Sequence, residues 1–198
     1  MEELKIGFLA SHGGSNMQSV IDAFKEGVLK GKPCVVISNN STSQALQRAK
    51  NEGIPFYHVS ERQSGSLDKV DAEILSIMKE HDVNIILLVG YLKKLGERTL
   101  HAFNGRILNI HPSLLPKFGG KGMYGMNVHK AVIAAGERET GVTIHFVDRD
   151  YDKGNIISQC KVDISKTDTP ELLAKRVMEA EHKLLVSTLV NINKGEVV

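Results

Sequence analysis

Residues 5–28, KIGFLASHGGSNMQSVIDAFKEGV, change their hydrophobic period once. A short apolar run, residues 5–10, closes on Ser11, His12, Gly13 and Gly14. Beyond the glycines, Met17, Ile21, Phe24 and Val28 recur at helical spacing. The reading is strand, tight turn, helix. The same alternation continues outward. Residues 33–38 form a second strand, and a helix over about 43–51 ends at Gly53, a plausible C-cap. Residues 56–59 form a short strand. Val70, Ile74, Ile77 and Met78 make one face of the next helix. Residues 84–89 are the most apolar strand of all, broken by Gly90. Strands apolar on both faces, alternating with helices, predict a mostly parallel sheet covered on both sides.

After Arg106 the pattern changes. Residues 142–147 and 155–164 read as two strands joined by a polar turn, extending the sheet with antiparallel pairing. The last helix is marked at its start by Thr169 as N-cap and Pro170 as first helical residue. Leu173, Val177, Ala180 and Leu184 form its apolar stripe, widened by Leu185 and Leu189. Thr188 is the one polar member, and the helix is expected to reach about Asn193.

Size and composition narrow the function classes. The chain has 198 residues, 41% hydrophobic and 24% charged, with a net charge of +2. That suits a single globular domain, residues 1–198. No run of five or more basic residues asks for a nucleic-acid partner. The longest apolar runs, such as 85–89, fall far short of a membrane span. Cys34 and Cys160 lie in strand-like runs without CxxC spacing, which reads as reduced thiols in a cytoplasmic protein. No spacing of His or Cys suggests a metal site.

Three stretches carry chemistry. In the turn of residues 11–16, SHGGSN, two glycines let the backbone approach a ligand, and a helix N-terminus attracts phosphate. A simple turn capped by Ser15 or Asn16 accounts for it equally well. In residues 107–120, ILNIHPSLLPKFGG, Asn109 and His111 point to one side of a strand while Leu108 and Ile110 point to the other. Pro112 keeps His111 extended, and Pro116 stiffens the loop and suits a cis bond. An amide and a charged imidazole converging on one point suit a developing oxyanion, as in acyl transfer to an amine. Residues 145–155, HFVDRDYDKGN, run a strand into an acidic turn holding Asp148, Asp150 and Asp152. A carboxylate from this turn near His111 would raise the imidazole pKa and keep it protonated. It could also pass on the amine's proton. Spacing does not choose among the three aspartates.

Taken together, SHGGSNMQS, VISNN, LLVGYLKKL, ILNIHPSLLPKFGG, ETGVTIHFVDRDYDKGNIISQ and RVMEAEH make the sequence resemble the glycinamide ribonucleotide formyltransferases over nearly its whole length. The resemblance implies a Rossmann-like three-layer α/β sandwich, mostly parallel with antiparallel C-terminal strands. It implies formyl transfer from 10-formyltetrahydrofolate, as cosubstrate, to glycinamide ribonucleotide, without a metal. It matches Asn109, His111 and Asp152 to the catalytic trio. Gly13, Gly14, Ser15 and Asn16 match the phosphate turn, and Glu181 a ribose-binding glutamate. Gly90, Tyr91, Leu92, Lys93, Lys94 and Leu95 match the folate pocket, with Asp148, Arg149 and Asp150 from the loop of residues 148–154. Lys93 stands where an arginine is common, Lys153 where a glycine is common, and His12 where a smaller residue is common. Lys121, Tyr124 and His129 receive no role. The expected partners are small molecules only, for a monomer or weak homodimer acting in the cytoplasm.

Overall fold

A computed structural model describes residues 3–150 and 152–196. Its strands are β1 (Leu4–Leu9), β2 (Gly31–Ser38), β3 (Phe56–His58), β4 (Ile85–Leu88), β5 (Ile107–His111), β6 (Glu139–Phe146) and β7 (Ile156–Asp163). Its helices are α1 (Ser15–Lys25), α2 (Gln44–Asn51), α3 (Glu61–Ser64), α4 (Leu67–Glu80), α5 (Glu97–Ala102), α6 (Met126–Ala134) and α7 (Pro170–Lys194). The strands form one sheet in the order β3-β2-β1-β4-β5-β6-β7. The first five run parallel, and β6 pairs antiparallel with both β5 and β7.

Side-chain alternation explains why the central strands are apolar throughout. Ile6 and Phe8 of β1, Leu87 of β4 and Leu108 and Ile110 of β5 enter one core, shared with buried residues of α1, α2, α6 and α7. Leu9, Ile86, Leu88 and Ile107 enter the other, against α4. Phe8, Leu87 and Leu108 are each at most 2% exposed, and full burial of such a side chain stabilises by about 1.5–3 kcal/mol. Two covered faces make this a three-layer sandwich.

The marked caps form. Thr169 accepts from the Leu172 N–H at 3.3 Å, and Ser43 from the Leu46 N–H at 3.4 Å. Thr188 meets Ser158 Oγ at 2.7 Å, which satisfies the polar member of the α7 stripe. Both cysteines are free, Cys34 buried and Cys160 partly so. Val28 departs from the expected stripe: α1 ends at Lys25, Gly27 adopts φ 73°, and Val28 is 50% exposed. No described helix is long and apolar enough to cross a membrane.

Because β1 lies between β2 and β4, the sheet order reverses there, and such a switch point opens a crevice at the strands' carboxyl ends. The loops leaving the two strands are stitched together. Ser11 N–H donates to the Gly90 carbonyl at 3.0 Å, and Leu92 N–H donates to Ser11 Oγ at 2.8 Å.

Candidate active site

One cavity of ≈ 800 Å³ opens at this end of the sheet. Residues 13–16, 90–95 and 148–150 line it, together with Asn109, His111, Asp152 and Glu181. Every residue expected from sequence to bind or react therefore borders the same space. Tyr151, inside the expected folate loop, lies outside the described residues.

One end of the cavity is built on the turn before α1. The helix N-cap is Gly14, at φ 71°, and no side chain caps the helix. The alternative reading, Ser15 or Asn16 as cap, is thereby overturned, and the first N–H groups of α1 carry no side-chain cap. Gly14 packs on α2: a Cβ there would lie 3.0 Å from the Ala45 Cβ. Glu181, on α7, accepts from Asn16 Nδ2 at 3.1 Å. Burial pushes its carboxyl up to about 7, against the hydrogen bond from Asn16.

The other polar cluster of the cavity sits where β5 and β6 pair. Asn109 and His111 project from alternate positions of β5, and Asn109 lies opposite His145 in the register. Asn109 Nδ2 approaches His145 Nε2 at 3.1 Å and Asp152 Oδ1 at 3.4 Å. Asp152 Oδ1 is also 3.6 Å from both His111 Nδ1 and His145 Nε2. Its Oδ2 accepts from the Gly120 N–H at 2.8 Å, tying the acidic turn to the glycine loop. Asp152 adopts φ 55°, a left-handed conformation that Asp tolerates better than most residues. A Cβ on Gly119 would lie 2.4 Å from Leu115 Cδ2 and 3.3 Å from Asp152 Cβ, so a larger residue would displace the Leu115 side chain. The Leu115–Pro116 bond is cis.

The geometry settles a tautomer. His111 Nε2 is 2.8 Å from the Phe118 carbonyl oxygen, which can only accept, so Nε2 carries the hydrogen. Nδ1, facing Asp152, is then the basic nitrogen. A nearby carboxylate alone would keep this imidazole protonated. Instead its pKa lies below the ordinary histidine value, because burial outweighs the charge of Asp152 and the Phe118 hydrogen bond. Asp152 lies below the ordinary carboxylate value. Burial alone would raise it, but His145, His111 and the Gly120 N–H together outweigh burial. The site thus pairs the Asp152 carboxylate with an imidazole 3.6 Å away that burial biases toward its neutral form.

Other lining groups escaped the sequence reading. Nothing local marks His145, whose contact with Asn109 depends on the β5–β6 register. Ala174 and Met178 line the cavity with Glu181; their spacing of four and three puts them on one helix face, a legible signal. His12, Lys121, Tyr124 and His129 line it too. His129 is buried, and its Nδ1 has no partner among the described residues. Burial pushes the Tyr91 hydroxyl up to about 12, making it a neutral wall of the cavity. Arg149 instead reaches Glu97 Oε2 at 2.9 Å on the exposed surface.

Residues 4–189 match the formyl transferase family. A chloroplastic phosphoribosylglycinamide formyltransferase of Vigna unguiculata is 43% identical over 93% of this chain and 59% of its own length. Its Arabidopsis thaliana counterpart is 40% identical over 93% of this chain and 64% of its own length. The chain thus spans about three fifths of these plant relatives. Glycinamide ribonucleotide transformylase 1 from Symbiobacterium toebii superimposes with a TM-score of 0.92 at 33% identity, covering 99% of this chain and 90% of that one.

Proposed function

The chain belongs to the formyl transferase family, and from that membership we propose that it transfers the formyl group of 10-formyltetrahydrofolate to the primary amine of glycinamide ribonucleotide. The products are formylglycinamide ribonucleotide and tetrahydrofolate, a step of de novo purine biosynthesis. The observation that carries this reading is the convergence of Asn109, His111 and Asp152 in a cavity that also holds an uncapped helix N-terminus.

Each part of the cavity suits one substrate. The free N–H groups at residues 14–16 suit a phosphate dianion. Glu181 suits the ribose hydroxyls, because a carboxyl group accepts hydrogen bonds whether or not it carries its proton. Residues 90–95 border Leu88, Val89 and Val147, which offer an apolar wall with backbone polar groups at its edge. That combination suits a flat heterocycle whose rim hydrogen-bonds. The folate supplies the formyl carbon to be attacked.

Asn109 directs its amide N–H groups at the region beside Asp152, and there they would donate to the formyl oxygen as negative charge grows on it. His111 Nδ1 lies 3.6 Å from Asp152 Oδ1, with its other ring nitrogen held by the Phe118 carbonyl. It takes the proton released as the amine adds to the formyl carbon, and the resulting imidazolium stabilises the same negative charge. Asp152 stabilises that imidazolium and assists return of the proton to the departing nitrogen. Because His111 starts neutral, its positive charge is present when the oxyanion is, which favours the transition state over the ground state.

An assay of tetrahydrofolate release with and without glycinamide ribonucleotide tests the proposal. Release that requires the ribonucleotide is the expected result. Release at the same rate without it would mean hydrolysis, and no release at all would leave only a binding module.

A further inference from the structure

Arg48, on α2, lies directly behind the turn of residues 12–14 and belongs to none of the sets above. Its Nε–H donates to the Gly13 carbonyl oxygen at 2.9 Å, and its Nη1 donates to Gln18 Oε1 at 3.4 Å. Both partners are neutral. The side chain is half-buried, and among the described residues no carboxylate pairs with it. Glu52, which shares Gln18 with it, is engaged by Lys25 instead. A charge held partly out of water without a counter-ion costs free energy. An anion that arrives only with a ligand would offset that cost. The charge also acts beyond its contacts: His182 on α7 has a lowered pKa, first from burial and then from Arg48.

The hydrogen bond has a geometric consequence as well. In a trans peptide the C=O and N–H point opposite ways. Tying the Gly13 carbonyl back to α2 therefore turns the Gly14 N–H away from α2, toward the cavity. The Ala45 N–H does the same one peptide earlier, donating to the His12 carbonyl at 2.9 Å.

We propose that Arg48 is the positioning residue of the phosphate cradle: it fixes the Gly13 peptide with the Gly14 N–H inward and supplies, from behind the turn, the positive charge that the phosphate meets. The inference rests on reading residues 13–16 as a phosphate site.

The test compares wild type with Arg48→Met and Arg48→Lys. Ribose 5-phosphate is titrated calorimetrically, and both substrates are followed in steady state. Arg48→Met should weaken ribose 5-phosphate and raise the ribonucleotide KM by about tenfold or more. Its kcat should stay within about twofold, and the folate KM should not move. Arg48→Lys keeps the charge without the Nε fork, so it should recover only part of the loss. Salt should weaken sugar-phosphate binding more steeply in wild type than in Arg48→Met. Unchanged ribose 5-phosphate affinity in Arg48→Met would overturn the proposal, as would equal losses in both KM values and kcat. Absence of binding to wild type would overturn it together with the cradle. An Arg48-dependent affinity in a protein that transfers no formyl group would sustain it while refuting the proposed reaction.

Discussion

Asp152→Asn removes one charge and almost no volume from the point where β5, the glycine loop and the acidic turn meet. The amide oxygen of the variant can still accept from the Gly120 N–H, so the loop keeps its anchor. What disappears is the carboxylate 3.6 Å from His111 Nδ1. With an effective dielectric of about 20, a unit charge at that separation stabilises an imidazolium by roughly 4–5 kcal/mol. Part of this is regained by the dipole of the new amide and by water at the cavity mouth, leaving about 3 kcal/mol or somewhat more. Since burial favours the neutral form of His111, which gains its proton during the proposed reaction, the loss falls on the transition state. Turnover should drop by about a hundred- to a thousandfold with little change in either KM. The pH profile supplies an independent sign. Asp152 raises the His111 pKa against the lowering by burial, so removing it moves that pKa further down. The acid limb of the rate profile, where His111 is already protonated and cannot act as base, should move to lower pH. Steady-state kinetics across pH 5–9 (an approximate working range) measure both quantities. Turnover within about threefold of wild type, or an acid limb moving upward, would refute the assignment of proton acceptance to His111.

Other perturbations separate stability from chemistry. Glu181 keeps its proton up to about pH 7 when folded, against 4.5 for the ordinary carboxyl, so its contribution to stability is lost as pH rises through that window. Glu181→Gln should therefore be more stable than wild type at pH 8, by about 1–3 kcal/mol given partial solvent contact, and nearly equal at pH 5; equal urea midpoints at both pH values would contradict this. Asp71 is buried and accepts from the N–H groups of Arg98 and Thr99 at 2.8 and 3.1 Å. Asp71→Ala should cost about 2–4 kcal/mol of folding stability with kcat unchanged, read by denaturation and assay. Gly14→Ala places a Cβ 3.0 Å from Ala45 at φ 71°. It should cost about 1–2 kcal/mol in strain and raise the ribonucleotide KM while sparing the folate KM; a shift in the folate KM alone would count against the placement of the two substrates.

Elements whose signals are local were legible, and those held by distant partners were not. The strands 33–38, 84–89 and 107–111 declare themselves because both faces are buried, so every residue must be apolar until the strand reaches its open end. Asn109 and His111 interrupt that rule on alternate residues, which is why they could be read as a site. The start of α7 was legible for a similar reason, since Thr169 and Pro170 act on the adjacent turn. α5 has no such mark: its first N–H groups are satisfied by Asp71, more than twenty residues upstream. Residues that depend on register were hidden in the same way. Nothing near His145 in the chain says that it will lie opposite Asn109, and only the antiparallel pairing of β5 with β6 puts it there. The misjudged charge of His111 has the same origin. Pairing an aspartate with a histidine can be argued from two residues, and it favours the cation. Burial is the sum of everything packed around the ring, and here it wins. That outcome changes the chemistry available at the site, because a histidine that was already charged could stabilise an oxyanion but could not accept the amine's proton.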